Sequence, residues 1–291
     1  ADLLNLIGVM CGNIDNEQRS LISYVISEVY ADFGFTEDPS SLYVEQAALN
    51  EAGEFVHHGR KKPMPTFSDF HRKLEEVSKM DANKCLVNVA NALRMFKKGG
   101  VYGMFDNQTS PNLQNFKDAP VVTFDVSQLE ESILRPIGMF IALNWAWEKF
   151  AKKNVKQKKR IVCDEAWMLT NKNMAGHEFT AQFLETTSRR IRKRNGGLLV
   201  ASQNFKEFSD NPQGQAVLTN ASVNVFLKQN ATDIDDVAAV FKLSDGEKNF
   251  LSTAKKGHFL LKMGQESTVA FAKAFEYEKY LIERKTIAAS R

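Results

Sequence analysis

The chain changes its hydrophobic rhythm near Gly99-Gly100. Before that point apolar residues recur at helical spacing. Ile22, Val25, Ile26, Val29 and Phe33 form one stripe, and Asp15 stands where it can cap that helix. Leu86, Val89, Ala90, Leu93 and Phe96 form another, which Gly99-Gly100 closes. Asp38-Pro39 reads as a cap followed by proline at the first helical position. Thr66-Phe67-Ser68-Asp69 reads as a capping box that opens a helix running to about Met80. The stretch therefore predicts helices joined by loops over 33–39 and 53–65, with no strand.

After Gly100 short apolar runs alternate with longer amphipathic ones. Val121-Val122-Thr123-Phe124-Asp125 predicts a buried strand. A helix is expected from about Leu129 to Phe150, with Pro136 as a kink or a restart. Then come a strand over Arg160–Asp164, a helix over 174–194, a strand over Leu198–Ser202, a helical stretch near 212–220 and a strand over Val223–Leu227. Such alternation predicts βαβ units and a mostly parallel sheet. Thr232 and Ser244-Asp245-Gly246-Glu247 are expected to cap two short helices, the second through a capping box. Glycine first in the two-residue loop Gly264-Gln265 predicts a type II′ hairpin between His258–Met263 and Ser267–Phe271. A closing helix is expected over 276–285. The fold class is thus α/β, with residues 1–100 as an all-helical subdomain and 101–291 as the α/β core.

Composition narrows the classes of function only a little. A chain of 291 residues suits one large or two modest domains. Its net charge of +3 does not by itself indicate a nucleic-acid partner. Cys11, Cys85 and Cys163 are scattered with no CxxC, which suits a reduced cytosolic protein rather than a disulfide framework. The adjacent pair His57-His58 lacks ligand spacing, which argues against a zinc site. No signal peptide is visible. The most apolar stretch, Ile137–Trp147, contains Asn144 and is far shorter than the ~20 residues of a membrane span, so it reads as a buried helix. The chain starts at Ala1 inside an apolar run, and on that ground it is expected to be a piece of something longer.

Three features carry candidate chemistry. The first is Ile161-Val162-Cys163-Asp164-Glu165, an apolar strand ending in two acids. Open parallel sheets bind ligands beyond the carboxyl ends of their strands. There Asp164 could hold Mg²⁺, which prefers hard oxygen ligands, and Glu165 could orient or activate an attacking water. The same pair also suits an acidic helix N-terminus. The second is Arg189-Arg190-Ile191-Arg192-Lys193-Arg194-Asn195-Gly196-Gly197. Arg189 and Arg192 are three apart and so share a helix face, where either could act as an arginine finger toward a neighbouring subunit. Basic residues at a helix C-terminus also simply satisfy its dipole. The third is Leu198-Leu199-Val200-Ala201-Ser202-Gln203, another apolar strand, whose Gln203 could contact a γ-phosphate or could be a surface residue after a capping Ser. The basic run Lys152–Arg160 reads as a solvated loop or as a phosphate or anionic-membrane contact. Arg60-Lys61-Lys62 reads as solvated, and Trp145, Trp147 and Trp167 read as core.

The order and spacing of these features resemble a known family. Asp164-Glu165-Ala166-Trp167, the run Arg189–Gly197, Ser202-Gln203-Asn204-Phe205, Leu218-Thr219-Asn220-Ala221, Leu243–Glu247 and Gly257–Leu261 follow one another as in the C-terminal ATPase domain of the conjugative type IV secretion ATPases, the TraC/TrbE or "VirB-four" class. Pro65–Asp69 and Gly103–Asp106 also resemble family segments. The likeness covers about 60–275. It implies a RecA-like P-loop core with an all-helical insertion, ATP and Mg²⁺ as ligands, and Asp164 and Glu165 as the Walker B pair with Asp164 on the metal. It implies Gln203 as γ-phosphate sensor and a finger or interface contact from the Arg189/Arg192/Lys193 cluster. It further implies a homo-oligomer, often a hexamer, cytoplasmic and peripheral to the inner membrane. Its partners would be inner-membrane components of the secretion system and a coupling protein, with DNA as a further potential partner, in conjugation and pilus assembly. The chain departs from the pattern at one point: it contains no G-x-x-x-x-G-K-[ST]. The alternatives are a DNA translocase of the HerA/FtsK kind and a non-catalytic scaffold module of the secretion channel.

Overall fold

The structure is a computed structural model, and it describes residues 2–279 apart from 13, 45–47, 50, 52–54, 57–59, 81–82, 109–118, 153–154 and 175. The chain forms two compact units, one of Ala1–Gln157 with Asn171–Phe183 and one of Lys158–Thr170 with Leu184–Arg291.

The first unit is built mainly from helices α1 (Asp2–Cys11), α2 (Asn16–Asp32), α3 (Phe67–Ser78), α4 (Leu86–Leu93) and α5 (Leu134–Trp145). The caps expected from sequence are present. Asp15 and Gln18 close a capping box at the start of α2, and Thr66 and Asp69 close one at the start of α3. The helices share one core, in which Ile7, Ile22, Val25, Leu74, Leu86, Leu93, Phe96 and Phe140 are buried. The two upstream segments that resemble the family meet here. Asp106, only 3% exposed, accepts hydrogen bonds from the Ser68 amide at 3.0 Å, the Lys98 amide at 2.6 Å and the Ser68 hydroxyl.

Several expectations are corrected in this unit. The region expected to lack strands holds a two-residue antiparallel ribbon of β1 (Ala48–Leu49) and β2 (Phe55–Val56), with a bridge between Tyr43 and Lys61. Pairs this short leave too little periodicity to read. Lys62 is also no free solvated base, since its Nζ donates to the Gly34 carbonyl at 3.2 Å. Val121–Asp125 is not a strand. Among the described residues it has no ladder partner, and Val121 is 78% exposed. The helix expected from Leu129 begins at Leu134, so Pro136 stands in its first turn, where a missing amide costs nothing. It continues as a π-helical segment, Ala146–Ala151. The pair His57-His58 lies outside the described residues.

In the second unit β3 (Lys159–Cys163) and β4 (Gly196–Val200) pair in parallel, Ile161 opposite Leu198 and Cys163 opposite Val200. The crossover between them includes α6 (His177–Arg190). Ile161 and Cys163 are buried, whereas Val162 is 61% exposed and Leu199 46%. The helices α7 (Phe205–Ser209) and α8 (Pro212–Asn220) follow β4. The next strand, β5 (Asn224–Phe226), was expected in the parallel sheet. It instead pairs antiparallel with β6 (His258–Met263), after α9 (Ile234–Phe241) and α10 (Asp245–Thr253), and β6 pairs with β7 (Glu266–Phe271). Two-strand hairpins and returns through helices leave the same local pattern, so alternation alone does not distinguish the directions. Phe226, Ile234, Val237, Leu251 and Leu260 form the core beneath this sheet.

The hairpin matches its expectation. Met263 faces Glu266 across Gly264-Gln265, and only Gly264 of the two has positive φ, 60°, as a II′ turn requires. Ser244 and Glu247 form the capping box of α10. The Ser267 hydroxyl and the Ser244 amide hold the Glu247 carboxyl down at about 2. The cap of α9 is Asp233 rather than Thr232, whose hydroxyl instead bonds Asn230 and Asp233. The closing helix is present over 276–279, and the rest of its expected range lies outside the described residues. Lys242, exposed at the end of α9, has φ 51°, a conformation that suits glycine. Lys242→Gly is therefore expected to raise stability by about 0.5–1 kcal/mol. The check is a higher denaturation midpoint at unchanged m-value.

Candidate functional site

β3 ends at Cys163, so Asp164 and Glu165 lie just beyond its carboxyl end rather than within it. Burial pushes the Cys163 thiol up to about 12, with the Asp164 charge adding to it, so Cys163 is no nucleophile. The backbone here is pinned by the sheet. The Ala201 amide donates to the Cys163 carbonyl at 2.9 Å, and the Ala166 amide donates to the Ala201 carbonyl at 3.0 Å. Pairing thus carries on past both strands. Between these two bonds Glu165 adopts φ 50° and ψ 40°, in the left-handed region. For a residue with a Cβ that conformation costs about 1–2 kcal/mol. The chain then enters a 3₁₀ turn, Ala166–Leu169, in which Ala166, Met168 and Leu169 are buried.

The strained turn aims the Glu165 side chain at two donors. Its Oε1 accepts from Gln203 Nε2 at 2.6 Å, and its Oε2 accepts from Trp167 Nε1 at 2.7 Å. Gln203 is exposed on the loop after β4, next to Asn204, which caps α7 by accepting from the Glu207 amide at 3.2 Å. Two of the residues expected from sequence are therefore joined directly, at the carboxyl edge of the parallel pair. Asp164 is exposed, and its carboxylate accepts from the Glu165 amide at 3.0 Å.

The donor set decides which metal would suit. Among the described residues no group of three or more His, Cys, Asp or Glu could cage an ion. One exposed carboxylate fits Mg²⁺, which keeps several waters and completes its shell with phosphate oxygens.

Arg189 and Arg192 are not brought to these acids. The helix α6 ends at Arg190, and Arg192 lies in a 3₁₀ turn, Ile191–Arg194, so the two do not share a regular α-helical face. Arg189 pairs with Glu185 at 2.8 Å. The turn leads into the start of β4, where Gly196 lies opposite Lys159 at the start of β3. The basic cluster thus stands at the amino edge of strands five residues long, and the acids stand about 16 Å away at the carboxyl edge. The basic run before β3 is also not wholly a solvated loop. Lys159 is buried, and burial, then the Arg194 charge, pushes its ammonium down.

Two residues of the site region escaped the sequence reading. Trp167 was expected in the core, yet its indole N–H serves Glu165. Asn211 is buried. It donates to the Thr170 carbonyl at 3.1 Å and accepts from the Gln213 amide at 2.8 Å, which ties the end of the site segment to the start of α8. The Asn211-Pro212 cap signature was readable, but nothing in it signals the partner at Thr170.

The chain is 26% identical to the type IV secretion system protein virB4 of Bartonella henselae over 206 residues, which are 68% of this chain and 24% of that one. It is 27% identical to the virB4 protein of Bartonella quintana over 189 residues, 62% of this chain and 22% of that one. It therefore spans about a quarter of the length of these curated relatives. The solved structure of VirB4 of Thermoanaerobacter pseudethanolicus shares the fold, with a TM-score of 0.78 over 96% of this chain and 69% of that chain at 24% identity. Residues 65–280, most of the sequence, match the family described as TraG P-loop domain, and the chain belongs to that family.

Proposed function

We propose that this chain carries the hydrolytic half of an ATP site in a type IV secretion motor. The observation that carries the reading is the direct bond between Glu165 and Gln203, from two adjacent strand ends, beside the exposed Asp164. Asp164 would hold the metal of a Mg·ATP substrate, and that metal would neutralise charge on the phosphates. Glu165 would take a proton from the attacking water, whose oxygen forms the new bond to the γ-phosphorus. The bridging P–O bond breaks with its electron pair leaving on ADP. Gln203, exposed and already bonded to Glu165, would exchange that bond for the γ-phosphate and so couple nucleotide state to the base.

Arg189 and Arg192 stand at the opposite strand edge, and this supports a contact to a neighbouring copy in a homo-oligomer, hexameric in the resemblance. Residues 1–100 would be the helical insertion and 101–291 the ATPase core. Among the described residues no helix is long and apolar enough to cross a membrane. A cytoplasmic position peripheral to the inner membrane, against membrane components of the apparatus and a coupling protein in conjugation, completes the proposal.

The test is Mg·ATP turnover by the protein expressed from its complete gene, with and without Gln203→Ala and Glu165→Gln. Turnover that these changes leave intact would end the reading. Strong salt-dependent DNA affinity with DNA-stimulated turnover would move it to a HerA/FtsK-like translocase. Secretion that persists in Glu165→Gln would move it to a scaffold. The 291 residues contain no Walker A loop to cradle the β- and γ-phosphates. This chain alone is accordingly expected to bind ATP poorly, and a calorimetric titration giving micromolar affinity would contradict that.

A further inference from the structure

We infer that Trp167 is a positioning residue for Glu165, a role that rests on the hydrolysis reading above. A glutamate carboxylate turns easily about its last torsion, whose energy profile is broad. Setting its plane takes two donors, and here the two are unequal. Trp167 sits in the 3₁₀ turn whose Ala166, Met168 and Leu169 are buried, and the Ala166 amide is tied to the Ala201 carbonyl. Gln203 is exposed on a loop. The indole N–H is also a donor only, so it can neither accept a proton nor turn to offer an acceptor, as an amide can. Its 2.7 Å bond to a carboxylate oxygen is of the short, charge-assisted kind.

The consequence is a division of labour between the two oxygens. Trp167 holds Oε2 throughout, and Oε1 is the working oxygen, covered by the Gln203 amide until a phosphate draws that amide away. The left-handed backbone at Glu165 belongs to the same device, because it turns the carboxylate toward a residue only two positions ahead. The bland alternative is that a half-buried indole has simply found a polar partner, as buried tryptophans generally do. The two accounts differ in what happens when the N–H is removed and the ring is kept.

The experiment has a spectroscopic arm and a kinetic arm. In the 291-residue chain labelled with ¹⁵N-tryptophan, Trp167→Phe assigns one of the three indole N–H signals. That signal is expected to move in Glu165→Ala and to stay in place in Gln203→Ala. In the protein expressed from its complete gene, Trp167→Phe is expected to lower kcat by about tenfold or more while KM for ATP stays nearly unchanged, since a misplaced base costs turnover and not ground-state binding. A signal unmoved by Glu165→Ala, or moved equally by Gln203→Ala, overturns the unequal clamp. A wild-type kcat in folded Trp167→Phe overturns the positioning role. If the unsubstituted protein has no ATP turnover, the hydrolysis reading falls and takes the role with it, whereas a Trp167→Phe that turns over at the parent's rate beside an active parent removes the role alone.

Discussion

Glu165→Gln is expected to leave the protein folded and to lower its ATP turnover by about 10²–10⁴-fold, the usual weight of a positioned general base. The substitution keeps the length, the planar end group and the cost of the left-handed backbone. It keeps one acceptor oxygen and replaces the other with an NH₂ group. Trp167 offers only a donor, so the amide oxygen would face the indole and the NH₂ would face Gln203. The exposed Gln203 amide can turn to present its oxygen, so the site repairs its bonding while losing its proton acceptor. Nucleotide affinity should change far less than turnover, because Asp164 is untouched. The measurement pairs single-turnover hydrolysis with a thermal melt. Near-normal turnover in a folded variant would remove Glu165 from the chemistry.

Asp106→Ala is expected to destabilise the protein by about 3–5 kcal/mol, because it strands several donors around a buried carboxylate. The amides of Ser68 and Lys98 and the Ser68 hydroxyl all converge on Asp106, and two of the three belong to the first turn of α3. The variant would therefore loosen the seam between α3 and the segment 98–106 rather than delete one contact. Burial pushes the Asp106 carboxyl up, but the Ser68 hydroxyl and the amides of Lys98, Ser68 and Phe67 together outweigh it, and the group sits below the usual carboxylate range. The sign of the linkage follows. A carboxyl lowered in the folded state contributes its full stability above its unfolded value, about 3.9, and loses it as pH falls through the lower folded value. Wild type should thus lose more stability than Asp106→Ala between about pH 4 and the acid limit. Urea midpoints for both proteins across that range give the comparison, and parallel curves would count against the account.

Much of this is legible in the sequence, for reasons that can be named. The cap at Asp15 and the capping boxes at Thr66 and Ser244 are local, since residues at most three apart decide them, and all three are present. The acids after β3 were legible because an apolar run ending in two carboxylates is itself a local pattern. The Gln203 bond was not, because it joins positions 38 apart through strand register. Trp167 was misread for a related reason. Its neighbours Ala166 and Met168 are apolar, and a tryptophan among them looks like core until a left-handed turn brings a carboxylate to its N–H. Val162 and Leu199 failed in the opposite direction. A strand apolar on both faces is the mark of a sheet covered on both sides, yet these two are largely exposed here. Periodicity reports what a strand can be covered by, and packing decides what covers it.

The backbone at Glu165 finally separates two kinds of selection. Glycine would relax φ 50° at that position without strain. A lineage selected for folding alone would gain by drifting to glycine there, since relaxing such a position is a common route to added stability. On the reading proposed above, the glutamate at this φ serves the reaction and not the fold, and position 165 becomes a point where a more robust protein and a working one are different sequences.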